Sequence, residues 1–182
     1  MLCYKNGALA REEVRDRYSN GDWRTFNEMV EQTPPGCNGY MGLYFPLPEI
    51  IPPNVVGEYF FATSHTPPRP VESIPESMHP RTILESQFLS IRSRVNQLLA
   101  EGSPDLHRLI LTGGGSSNQV IRQLAAVSLF VPLLYLIQYL SRTYSMWTYM
   151  FPQRSKQQAT GARYWPDMLG GNNHIPIGHL GI

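Results

Sequence analysis

The stretch Leu109-Ile110-Leu111-Thr112-Gly113-Gly114-Gly115-Ser116-Ser117-Asn118 limits the local architecture of this chain more than any other. A short apolar run enters three consecutive glycines. It leaves through small hydroxyl residues and an Asn into the helix-forming Gln119-Val120-Ile121-Arg122-Gln123-Leu124-Ala125-Ala126. Glycine has no Cβ and adopts φ > 0 without strain, so the backbone there can turn sharply and approach another group closely. A helix starting beyond such a turn directs free N–H groups at whatever sits there, and these favour anions. The pattern predicts strand, glycine turn and helix in that order. A tight turn and a ligand cradle explain the glycines equally well, so the flanking sequence has to decide.

Leu2-Cys3-Tyr4 before Asn6-Gly7 reads as the end of a strand stopped by a turn. Ala8 to Tyr18 suits a short exposed helix, broken at Asn20-Gly21. Asp22 is placed to cap a second helix whose Trp23, Phe26, Met29 and Val30 form an apolar stripe. On that spacing Trp23 is a core anchor. Thr33-Pro34-Pro35-Gly36 ends the helix. Tyr40 to Phe45 and Val55 to Ala62 read as strands, with Pro46, Pro48, Pro52 and Pro53 forcing a loop between them. From Ser64 to Pro80, Pro67, Pro68, Pro70, Pro75 and Pro80 predict loop, either a plain surface loop or an interaction arm. Pro80 to Ala100 carries Ile83, Leu84, Phe88, Ile91, Val95, Leu98 and Leu99 on one side of the clearest helix in the chain, which Glu101-Gly102-Ser103 closes. Helices interleaved with strands fit an α/β layer.

Charge sets a boundary. Residues 1–126 hold 11 Lys+Arg and 13 Asp+Glu, a net of −2, whereas residues 127–182 hold four basic residues and one acid, a net of +3. The whole chain carries +1, which points to neither nucleic acid nor an anionic membrane surface. The two cysteines, Cys3 and Cys37, are too few for a disulfide framework and lack metal-ligand spacing, so they read as reduced thiols of a cytoplasmic protein. The start of the chain has no secretory pattern.

Four segments of residues 1–126 together carry a resemblance. They are Leu2-Cys3-Tyr4-Lys5-Asn6-Gly7-Ala8-Leu9-Ala10-Arg11-Glu12, Gly21-Asp22-Trp23-Arg24-Thr25-Phe26-Asn27, Gly39-Tyr40-Met41-Gly42-Leu43-Tyr44-Phe45 followed by Glu49-Ile50, and Leu111-Thr112-Gly113-Gly114-Gly115-Ser116-Ser117-Asn118. In this combination the segment resembles the C-terminal lobe of the FGGY family of carbohydrate kinases, most closely the xylulokinase branch. The resemblance implies an actin-like ATPase (ribonuclease H-like) lobe of α/β class, incomplete here. It implies ATP as phosphate donor, Mg²⁺ bridging the phosphates, and a pentulose, D-xylulose, as acceptor. It also implies that Gly113, Gly114 and Gly115 lie against the nucleotide, that Asn118 hydrogen-bonds near adenine or ribose, and that Trp23 packs beside the base. In the family the sugar-binding residues, the phosphate-cradling loop and the catalytic aspartate belong mostly to the N-terminal lobe. No catalytic base is therefore assigned among Glu49, Glu58 and Glu85, and residues 1–126 are expected to bind ATP or ADP without turnover.

Residues 127–182 depart from the family, which continues with an Asp before an Ala-Gly-rich helix. The simplest account of this divergent tail is a frameshifted or misspliced gene model. Leu124 to Leu140 is 17 residues of mostly apolar character interrupted by Pro132. It is short of the roughly 20 residues a membrane span needs. A buried strand or an exposed apolar helix fits it better. His174 and His179 suggest no metal site. The rival to an enzyme lobe is a non-catalytic interaction module acting through the Pro-rich segment or the apolar tail.

Overall fold

The computed structural model describes residues 3–65, 67–99 and 108–130. In chain order it forms helix α1 (Gly7–Tyr18), helix α2 (Trp23–Gln32), strands β1 (Tyr40–Phe45), β2 (Gly57–Ala62) and β3 (Arg69–Val71), helix α3 (His79–Leu98) and helix α4 (Gln119–Phe130). Single 3-10 turns precede β1, α3 and α4.

The local chemistry accounts for most boundaries. Asn20 and Gly21 take left-handed backbone, with φ of 52° and 72°, and separate α1 from α2. The Asp22 carboxylate accepts the Thr25 N–H at 2.9 Å, an N-cap satisfying one of the donors that a helix start leaves free. Pro80 sits in the first turn of α3, where no backbone N–H is needed.

The sheet is antiparallel in the order β1-β2-β3, with Leu43 opposite Tyr59 and Phe61 opposite Pro70. Part of the Pro-rich segment expected to be loop is therefore strand. Pro70 is accommodated because β3 is an edge strand, where a residue without N–H leaves no inner ladder bond unmade.

Helix α3 is the hub, packing on α1, α2, α4 and β1. The core joins Ala10 and Val14 of α1, Phe26 and Val30 of α2, Tyr44 of β1, Ile83, Leu84 and Phe88 of α3, and Ile121 and Ala125 of α4. The helix-start half of the predicted α3 stripe is buried, whereas Leu98 at its end is exposed. Helix α1, expected to be exposed, buries Ala10 and Val14.

Two expected strands are absent. Cys3-Tyr4 and Leu109-Ile110-Leu111 have no strand structure, and the second run is exposed, Ile110 by 76%. A strand exists only through a neighbour that completes its hydrogen bonds, and among the described residues neither run meets one. The α/β expectation is thus met as mixed helix and sheet, with the sheet antiparallel. Helix α4 crosses residue 126 without a break, and the Arg92 guanidinium of α3 donates to the Ser128 carbonyl at 3.0 Å. Among the described residues no helix is long and apolar enough to cross a membrane. Most of the Leu124–Leu140 run, the closing Glu101-Gly102-Ser103, His174 and His179 lie outside the described residues.

Candidate functional site

The glycine turn forms as its residues dictate. Gly113 takes φ +81° and leads into one 3-10 turn, Gly114–Ser117. The Ser116 N–H and Oγ both donate to the Gly113 carbonyl, at 3.0 and 2.6 Å, and Ser117 Oγ donates to the Gly114 carbonyl at 2.7 Å. The two hydroxyls thus serve the turn itself. A Cβ at Gly113 or Gly114 would meet nothing within 4 Å, so the backbone there faces open space. At Gly115 a Cβ would stand 3.5 Å from Arg11 Nη2.

Asn118 ends the turn and caps α4, its Oδ1 accepting the Ile121 N–H at 3.2 Å. Its Nδ2 donates to Asn27 Oδ1 on α2 at 2.8 Å. An Asn side chain offers two N–H donors and two acceptor lone pairs, so one of each remains for a ligand.

Trp23 opens α2, half-buried against the core and edge-on to Phe26 at 5.2 Å between ring centroids. The Arg15 guanidinium lies 4.8 Å from its indole centroid, a cation–π contact that occupies one ring face. Trp23 is therefore a packing residue in this state, with Arg15 where a stacked base on that face would go.

These contacts close into a ring. Residues four apart share a helix face, so Trp23 and Asn27 lie together on α2, and Arg11 and Arg15 on α1. Asn27 meets Asn118, Arg11 meets Gly115 and Arg15 meets Trp23. The expected residues Trp23, Gly115 and Asn118 share one rim, while Gly113 and Gly114 stand at its open end. Arg11, Arg15 and Asn27 complete it and were not singled out from sequence. The available signals were the Arg11–Arg15 spacing and the Asn that ends Trp-x-x-Phe-Asn.

The rim is cationic on the turn side. Arg11 Nη1 donates to Gln87 Oε1 at 2.7 Å, and Arg122 Nη1 donates to the Ser116 carbonyl at 2.7 Å. Gln87 is fixed in turn, since its Nε2 donates to the carbonyls of Asn6 and Gly7 at 3.2 and 3.1 Å. Arg11 and Gln87 also line a cavity of about 120 Å³ between the first residues, β1 and α3, whose walls include Leu43, Phe45, Ile83 and Phe88.

The three carboxylates considered above are structurally engaged. Glu49 Oε1 and Oε2 accept from the N–H groups of Lys5 and Asn6 at 2.7 and 3.1 Å, and from Ile50 N–H and Asn6 Nδ2. Burial opposes its charge, but these donated bonds prevail and hold its pKa below the usual carboxylate value. Glu58 pairs with Arg17 at 2.6 Å. Glu85 pairs with Arg81 at 2.6 Å and accepts the Gly36 N–H, yet burial raises its pKa overall. Buried His79 stacks on Tyr18 at 3.8 Å and shares a hydrogen bond between its Nδ1 and the Tyr44 hydroxyl, 2.8 Å away. Among the described residues no three His, Cys, Asp or Glu side chains are grouped to hold a metal ion.

Known proteins match this chain over the same region. The model of the C-terminal domain of the FGGY family of carbohydrate kinases matches residues 3–135. A probable D-xylulose kinase A of Arthroderma otae is 40% identical over 152 residues, covering 69% of this chain and 26% of that protein. Xylulose kinase 2 of Arabidopsis thaliana is 38% identical over 132 residues, covering 68% and 23%. The xylulose kinase of Mus musculus is 32% identical over 126 residues, covering 69% and 22%. The chain thus spans about a quarter of the length of the curated relatives it matches.

Proposed function

The chain belongs to the FGGY family of carbohydrate kinases, and from that membership we propose that it carries the ATP-side lobe of an actin-like kinase that phosphorylates D-xylulose to D-xylulose 5-phosphate. What supports the nucleotide reading most is the shared rim: Asn118 joins α4 to the helix of Trp23, and Gly113 and Gly114 face open space beside it. Bare backbone would lie against the nucleotide at Gly113, Gly114 and Gly115. The unused N–H and lone pair of Asn118 would bond near adenine or ribose. Trp23 would pack beside the base once Arg15 yields its ring face. The substrate class rests on the names of the relatives.

Phosphoryl transfer needs in-line positioning, charge compensation and a group that takes up the hydroxyl proton. Mg²⁺ would supply charge compensation. The grouping of acids in the described residues does not fit a metal site, so no residue is assigned to it. With Glu49, Glu58 and Glu85 engaged elsewhere, this chain alone is expected to bind nucleotide and not to turn over. The same reading divides it into a partial kinase lobe over residues 1–126 and a divergent tail over 127–182, with α4 crossing the division.

Gly114→Val tests the reading. A Cβ there meets nothing within 4 Å, so the first added atom strikes no neighbour, but a ligand on the turn would be crowded. The variant should melt like the parent and lose ADP binding. Unchanged ADP affinity would refute the turn as the site. Phosphorylation of xylulose by the purified chain would overturn its inactivity.

A further inference from the structure

We propose that Arg11, seconded by Arg122, binds the phosphate groups of the nucleotide at the glycine turn. This rests on the nucleotide reading above and adds the cations that the turn's own sequence does not contain.

The geometry is specific. Arg11 Nη2 lies beside the turn at Gly115, 3.5 Å from where a Cβ would be, which is ordinary van der Waals contact. Its other arm, Nη1, is held by Gln87, whose amide is oriented by the Asn6 and Gly7 carbonyls. The guanidinium is thus fixed in place beside the turn, with Nη2 left over. Arg122 reaches the turn from α4, its Nη1 donating to the carbonyl of Ser116, the residue that follows Gly115.

Charge makes the case for an anion. Arg15, Arg17, Arg24 and Arg81 each lie within ion-pair distance of a carboxylate. Among the described residues Arg11 and Arg122 have hydrogen-bond partners that are neutral, an amide oxygen and backbone carbonyls. Arg11 is also half-buried, and burial works against its charge, with Glu12 the nearby carboxylate that offsets it in part. A half-buried guanidinium without a bonded anion, fixed beside exposed glycine backbone, suits a planar phosphate contact, which is where Arg is stronger than other donors.

The test uses the full 182-residue chain and compares ADP with adenosine by calorimetry. Arg11→Gln should lower ADP affinity roughly tenfold or more, the scale of a charge-assisted hydrogen bond, while adenosine affinity stays within twofold. Arg11→Lys, which keeps the charge but not the fork, should fall between. Should Arg11→Gln fail to fold, exposed Arg122→Gln provides the same comparison, with a smaller selective loss of ADP binding. Equal ADP affinity in the variants, or parallel losses of ADP and adenosine, would overturn the assignment of Arg11 and leave the nucleotide reading standing. Binding of neither ligand by the parent chain would remove both.

Discussion

Asn118 has two separable jobs in this structure, and removing it should show both. Asn118→Ala deletes the cap of α4, a loss of about 1 kcal/mol. It also deletes the bond to Asn27 Oδ1 at 2.8 Å, a further loss of about 1 kcal/mol. The variant should therefore be destabilised by about 2 kcal/mol, and Asn27→Ala by about half as much, because α4 keeps its cap. The double variant should cost little more than Asn118→Ala alone, leaving a coupling of about 1 kcal/mol. Urea unfolding followed by tryptophan fluorescence measures all four proteins, provided the slope with denaturant stays constant. ADP affinity should then separate the jobs. Asn118→Ala also removes the spare N–H and lone pair, so it should weaken ADP more than Asn27→Ala does. Additive costs, with coupling near zero, would refute the bond between α2 and α4. Equal ADP losses in both single variants would refute a direct contact from Asn118.

Three further outcomes follow from other contacts. His79 has its pKa lowered to about 4 by burial, against an ordinary 6.5, with the Tyr44 hydroxyl already on Nδ1. The unfolded chain then binds more protons between those values, so stability should fall as pH drops from about 6.5 toward 4, by up to about 3 kcal/mol, and His79→Gln should flatten that slope in unfolding titrations. Arg81→Met strands the buried Glu85 carboxylate and frees the Val30 and Thr33 carbonyls that Arg81 Nη1 now bonds at 3.0 and 2.9 Å. It should cost about 3–5 kcal/mol at neutral pH and less in acid, where Glu85 takes up a proton. Gly42→Ala puts a Cβ 2.7 Å from Tyr44 Oη and 3.0 Å from Thr82 Cγ2, and overpacking of this kind costs about 1–3 kcal/mol in thermal or urea unfolding.

The parts of the fold that local chemistry determines were legible in the chain itself. Asp22 marks the start of α2, Asn20-Gly21 the break before it, and Pro80 the start of α3. The errors fell where tertiary partners decide. Leu109-Ile110-Leu111 has the composition of a strand, but pairing is a property of two segments, and among the described residues no strand lies beside it. Arg69-Pro70-Val71 reads as loop from Pro70 and the prolines around it, yet β2 offers an open edge that tolerates Pro70. At the site, the motif residues were visible and their supports were not. Arg11, Arg15 and Asn27 are ordinary residues on helix faces until α1, α2 and α4 pack together, and only then do they frame the turn.

The central claim is that the glycine turn, Asn118 and Trp23 form one nucleotide site, and residue-resolved NMR of the ¹⁵N-labelled chain during an ADP titration tests it most directly. Saturable shifts are expected at the amides of Gly113, Gly114 and Gly115, at the Asn118 side-chain amide and at the Trp23 indole N–H. Absence of shifts at these positions under saturating ADP, or shifts confined to the residues around the cavity of Leu43 and Phe88, would contradict it.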